Sequence, residues 1–179
     1  MTSKQTEVPQ ISKKTVQPYK DVKTGKFGEN GAKVKPYYFI GIDTGVNTGF
    51  AVWSTEMRKF MYIDSLMVHQ AMDLVKEYAF NHVVKVIVED PRLRKWFGSA
   101  DSRQAKSGAG IREGVGSVKR DANIWEDFLT DNKIPFEMAH PLKGATKMNA
   151  EAFKRVTKYE GRTNEHSRDA AMLVINRNY

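Results

Sequence analysis

Among the carboxylates and imidazoles of this 179-residue chain, Asp43, Glu89, His166 and Asp169 stand where they could hold a hard cation or move a proton. Asp43 closes a mostly apolar run at 37–43, and Glu89 closes a β-branched apolar run at 83–89. Open α/β sheets bind their ligands at strand C-termini. If the two runs are parallel neighbours, both carboxylates stand at one sheet edge. Carboxylates that close repel one another, and a shared hard cation relieves the repulsion. His166 and Asp169 lie three residues apart beside Ala170, Ala171, Leu173 and Val174, so on a helix they share one face. One helix face would thus present a third carboxylate and an imidazole to the first two. Each piece also has a plainer reading. An aspartate at a strand end is commonly a turn or cap residue. Glu89, followed by Asp90 and Pro91, is equally a solvated strand exit, and a lone His-x-x-Asp is usually a surface pair. The signal is that all three occur in one chain, each on the element the chemistry needs.

The positioning elements follow from periodicity. After the first run comes a Gly-rich turn at 44–49, then strands at 50–54 and 59–65 joined by a short turn at 55–58. Three strands with connections this short must be antiparallel neighbours. Val68, Ala71, Met72, Val75, Tyr78 and Ala79 recur at helical spacing and predict a helix over 67–80. The strand at 83–89 is next, followed by a basic, glycine-rich and weakly periodic segment at 90–119. A helix is predicted from about 115 to 131, with Val118, Ala122, Trp125, Phe128 and Leu129 on one face. A short strand at 135–139 and helices at 149–159 and 164–176 complete the chain. The order predicts an α/β fold: a mixed five-stranded sheet, three antiparallel strands then parallel strands, flanked by helices.

Charge divides the chain. There are 29 Lys+Arg against 21 Asp+Glu, a formal +8, which favours a polyanionic partner. Residues 1–36 hold 8 basic and 3 acidic residues and three prolines, with little periodic apolar content. Such a segment cannot bury enough surface to offset its ordering entropy, so it reads as a flexible basic arm or as a solubilising tail. Residues 91–120 hold 8 basic against 2 acidic, whereas 37–90, with Asp43 and Glu89, hold 4 against 7. The chain has no cysteine, which excludes disulfide scaffolds, Cys-ligated zinc and thiol catalysis. No apolar run approaches a membrane span and no signal-peptide core is present, so a soluble, cytoplasmic protein without a membrane partner is expected.

These features together resemble the RuvC family of Holliday-junction resolvases, within the RNase H-like nuclease superfamily, over about 37–175. FIGIDTGVNTGFAV (39–52) is similar to the family's opening strand, with Asp43 in the place of its first metal-binding aspartate. VIVED (86–90) is similar to the second motif, with Glu89 as its glutamate. HSRDAAMLVI (166–175) is similar to the closing helix, where members carry Asp or His three residues before a final Asp. Residues 104–116 resemble the lead-in to a dimer-forming helix, and PLKGATK (141–147) resembles a lysine-bearing loop that contacts DNA phosphates. One departure concerns the aromatic wedge that members often carry just after the glutamate. Pro91, Arg92 and Leu93 stand there, and the nearest aromatics are Trp96 and Phe97.

The resemblance implies an RNase H-like nuclease domain over 37–179 that cleaves four-way DNA junctions by paired phosphodiester hydrolysis, leaving 5′-phosphate and 3′-hydroxyl ends. It implies two Mg²⁺ ions about 3.5–4 Å apart. Asp43 would bridge them, Glu89 and Asp169 would complete the ligand sets, and His166 would ligate one ion or orient the water. A nitrogen ligand suits Mn²⁺, which is expected to substitute. Lys143 and Lys147 would hold phosphates near the scissile bond. Arg92, Arg94, Lys95, Arg103, Lys106, Lys119 and Arg120 would grip the junction arms, or form a solvated basic loop. Trp96 and Phe97 would stack on exposed bases, or pack in the core. A two-fold symmetric substrate implies a homodimer, with Ile124, Trp125 and Phe128 as the candidate contact; burial of the same helix against the sheet is the competing reading. A cytoplasmic protein that is nucleoid-associated, or encoded by a virus or mobile element, would suit this activity. The same residues would also serve a flap or branched-DNA debranching nuclease, or a nuclease-like DNA-binding module without turnover. Asp43-Thr44-Gly45 also matches the signature of aspartic proteases, but that class is an all-β dimer with no use for His166, Asp169 or long helices. Actin-like sugar kinases share a Gly-rich first turn and need two such domains, for which the chain is too short.

Overall fold

The computed structural model describes residues 35–93, 108–141 and 148–178, with side chains in the segment 108–118 described only at Ser117. Strands β1 (Tyr38–Asp43), β2 (Asn47–Ser54) and β3 (Lys59–Met67) lead into helix α1 (Val68–Asn81) and strand β4 (Val84–Glu89). A short 3₁₀ turn, Pro91–Leu93, precedes helix α2 (Gly108–Asp131), strand β5 (Phe136–Ala139), and helices α3 (Ala150–Thr157) and α4 (Glu165–Val174). The sheet order is β3-β2-β1-β4-β5. β1 pairs antiparallel with β2, and β2 with β3, whereas β1–β4 and β4–β5 are parallel. The expected mixed α/β sheet of five strands is present.

The pleat sorts β1 between two cores. Ile40 and Ile42 enter one core with Phe50, Val52, Val84, Val86, Val88, Ala71 and Val75 of α1, and Trp125 and Leu129 of α2. Phe39 enters the other with Ala51, Trp53, Phe60, Ile87, Phe153 of α3, and Ala170, Ala171, Leu173 and Val174 of α4. α1 and α2 therefore cover one face of the sheet, and α3 and α4 cover the other. Side chains alternate along a strand, so Gly41 and Asp43 share the α4 face with Phe39, and Glu89 shares it with Ile87.

Several boundaries differ from the sequence expectation. β2 begins at Asn47, because residues 47–49 pair with β3, and Gly49 also with β1, so only Thr44–Val46 remain as the turn. α2 begins at Gly108, seven residues earlier than predicted, because glycines at 108, 110, 114 and 116 mask a helix from a propensity reading. α3 ends at Thr157, where Lys158 turns left-handed at φ 58°. Trp125 is fully buried against the sheet and packs edge-on to Phe128, so it is a core residue and not a dimer contact. Of the three residues expected at that interface, Ile124 is the exposed one. The arm at 1–36 lies outside the described residues apart from Lys35 and Pro36. No helix among the described residues is long and apolar enough to cross a membrane.

Candidate active site

The candidate site is assembled at the C-terminal end of β1. β1 and β4 run parallel with Ile42 opposite Val88, so Asp43 and Glu89 follow at the same level on adjoining strands and point to the same face. Thr44 reinforces this alignment: its hydroxyl donates to the Glu89 carbonyl at 3.3 Å, tying the exit of β1 to that of β4. The turn beyond is closed by the buried Thr48, whose hydroxyl donates to the Gly45 carbonyl at 2.8 Å.

α4 brings the other two residues. Asn164 caps it, accepting from the Ser167 N–H at 2.9 Å, while the Asn164 N–H donates back to Ser167 Oγ at 3.0 Å. Arg168 anchors the same turn, donating through Nε to the Met148 carbonyl and through Nη1 to the Thr163 carbonyl. The first turn of α4 lies against β1 and β2, with His166 Nδ1 3.0 Å from Asp43 Oδ2. The carboxylate is largely enclosed and the imidazole half open, at 14% and 51% side-chain exposure. Asp169 lies one turn further along and is buried.

Two glycines permit this approach. A Cβ on Gly49 would stand 2.0 Å from the His166 carbonyl oxygen and 3.0 Å from Asp43 Cβ. A Cβ on Gly41 would stand 2.1 Å from the carbonyl oxygen of Ala170, one turn further along α4. Gly49 pairs directly with Asp43 across the ladder, so the strand that faces the aspartate also seats the histidine. In the sequence Gly49 reads as a turn residue. The signal that would have found it is a glycine inside a strand, which marks close backbone approach.

The residues fit a hard divalent cation in kind, being carboxylates with one imidazole. Asp43 and His166 are already in contact, with Glu89 beside them on β4 and Asp169 on the same helix. Among the described residues, no three such groups are gathered closely enough to hold an ion as they stand.

Behind Glu89, the buried Asp90 continues the sheet by donating its N–H to the Ala139 carbonyl at 2.8 Å. Its carboxylate accepts from the Arg92 N–H at 2.9 Å and from the guanidinium at 2.8 Å (Nε) and 2.7 Å (Nη2). Arg92 then reaches α2, pairing with Glu126 Oε2 at 2.6 Å and donating to Asn123 Oδ1. Burial alone would push the Asp90 carboxyl up, but the hydrogen bonds and charge of Arg92, with His140 nearby, hold it below the ordinary range. Binding to Asp90 raises the guanidinium in turn.

Of the residues expected on DNA, Lys119 and Arg120 sit on α2. Arg120 is exposed, with Ser117 Oγ and Asp121 within reach. Arg94, Lys95, Trp96, Phe97, Arg103, Lys106, Lys143 and Lys147 lie outside the described residues. No known protein family matches the chain, and no curated protein matches it.

Proposed function

We propose that this chain is a metal-dependent, structure-specific endodeoxyribonuclease of the RuvC type, with an RNase H-like fold, that resolves four-way DNA junctions by paired hydrolysis. The observation that carries the reading is the contact between Asp43 at the end of the central strand and His166 of the last helix, with Glu89 level on the adjoining parallel strand. The sheet order, with β1 between an antiparallel and a parallel neighbour, supports the RNase H-like assignment.

Two bound Mg²⁺ ions, or Mn²⁺, would supply an activated water and stabilise charge on the departing 3′-oxygen. Asp43, Glu89 and Asp169 hold the cations, and His166 completes the set or orients the attacking water. Asp43 and His166 restrain one another, so the carboxylate oxygen would meet a cation already aimed. Lys119 and Arg120, together with Arg94, Lys95, Arg103, Lys106, Lys143 and Lys147, neutralise phosphates of the junction arms. Trp96 and Phe97 stack on bases at the crossover. A homodimer delivers the two nicks that a two-fold symmetric junction requires.

The test is gel analysis of cleavage of a four-way junction, a flap and a linear duplex, each with Mg²⁺, Mn²⁺ or EDTA. Symmetric paired nicks confined to the junction, absent in EDTA and lost in Asp43→Asn, are expected. Equal cleavage of flap and junction would turn the assignment to general debranching. Retention of cleavage by a folded Asp43→Asn protein would sink it.

A further inference from the structure

The reading above takes Glu89 as a metal ligand; resting on it, we infer that Arg92 is a positioning residue for Glu89 and not a contact to DNA. Asp90, the residue after Glu89, is buried at 2% exposure, and a buried carboxylate is tolerated only when paired and hydrogen-bonded. Arg92 supplies that pairing from two residues away through its own N–H, Nε and Nη2, closing a tight loop at the exit of β4. The Leu93 N–H donates to the Asp90 carbonyl at 3.1 Å and completes the turn.

The loop is fixed from two further sides. Asp90 is tied by its N–H to Ala139 at the end of β5, and the guanidinium is held from α2 by Glu126, at the Nη2 that Asp90 also engages, and by Asn123, at Nη1. On the other side of Glu89, Thr44 donates to its carbonyl. The Glu89 backbone is therefore pinned between the exit of β1 and a clamp that joins β4, β5 and α2. A fork with several donors suits this task because it fixes direction as well as charge. With Asp90, Asn123 and Glu126 all engaging it, the guanidinium is committed within the protein. Replacing the fork by a point charge releases the exit of β4 and lets the Glu89 side chain wander from Asp43.

Arg92→Lys keeps the charge and removes the fork. Its fold is expected to survive by circular dichroism, while the affinity of the protein alone for Mn²⁺, measured by calorimetry, falls about tenfold, the scale of a lost supporting contact to a metal ligand. The salt dependence of junction affinity in EDTA should keep its slope. Glu126→Gln leaves Asp90 fully paired, so it remains informative if Arg92→Lys does not fold; a smaller loss of Mn²⁺ affinity is expected. Unchanged Mn²⁺ affinity in the folded variants overturns the inference. So does an Asp90→Asn/Arg92→Gln pair that keeps Mn²⁺ affinity and flattens the salt dependence by about one unit of slope, the mark of a phosphate contact. Glu89→Gln separates this inference from the reading beneath it. If that variant also leaves Mn²⁺ affinity untouched, it is the assignment of the site that fails.

Discussion

Replacing Gly49 by alanine tests whether the meeting of Asp43 and His166 is set by backbone packing. The added methyl would stand 2.0 Å from the His166 carbonyl oxygen and 2.5 Å from its carbon. A comfortable carbon–oxygen contact is about 3.3 Å or longer, so the first turn of α4 must retreat by about 1.3 Å. Both of these atoms are backbone and cannot rotate away. The Arg168 anchor on the Met148 carbonyl resists the movement, and Gly41 lies just as close under the next turn. Overpacking of this kind costs about 3 kcal/mol, against roughly 0.5 kcal/mol recovered from the stiffer unfolded chain. A retreat of that size stretches the 3.0 Å Asp43–His166 contact beyond hydrogen-bond range. Gly45→Ala in the adjoining turn is the control. Its Cβ would meet nothing nearer than the Asn47 carbonyl oxygen at 3.8 Å, and a change within about 0.5 kcal/mol is expected. Urea unfolding followed by tryptophan fluorescence measures both. If Gly49→Ala proves as stable as Gly45→Ala, α4 does not rest on β2 at Gly49 and backbone packing does not set the Asp43–His166 contact.

Three further outcomes follow from the same contacts. Asp90 and Glu137 are each pushed up by burial but held below the ordinary carboxylate range by partners, Arg92 for the first and Lys85 with Arg177 for the second. A depressed carboxyl contributes stability that is fully present above the unfolded value and lost as pH falls through the folded one. The urea midpoint should therefore drop below about pH 4, and Glu137→Gln should make the drop shallower; an equally steep drop in that variant would count against it. Trp125→Ala should cost about 4 kcal/mol as a core truncation, whereas Ile124→Ala should leave monomer stability within about 0.5 kcal/mol. Sedimentation of Ile124→Ala then reports whether the outer face of α2 contributes to self-association. Asn164→Ala removes the α4 cap and should cost about 1 kcal/mol in thermal or urea unfolding; no measurable loss would mean that the cap does not hold the turn bearing His166.

Much of the frame was legible in the chain itself. Alternation and β-branched runs located five strands, short connections made the first three antiparallel, and helical spacing placed α1, α3 and α4 to within a few residues. Asp43, Glu89 and the His166–Asp169 pair were visible because each sits at a recognisable position on its element. Local pattern was less informative where glycine changes its meaning with context. The glycines of α2 hid seven residues of helix, and Gly49 looked like part of a turn when it is a strand residue that seats another backbone.

What only the tertiary structure decided is which groups meet. Sequence spacing carries no information about the 123 residues separating Asp43 from His166; their contact depends on α4 settling on Gly41 and Gly49. Arg92 shows the same limit for charge. As a symbol in a basic stretch it suggests phosphate, yet the fold places it between a buried aspartate and α2, where desolvation makes the internal partner the stronger claim. Trp125 could have faced another copy or the sheet, and the direction of α2 turned it inward. The sequence alone determined which residue types stand on which elements, because periodicity and propensity act within a few residues. Packing, which acts between elements, decided which of those residues share a site.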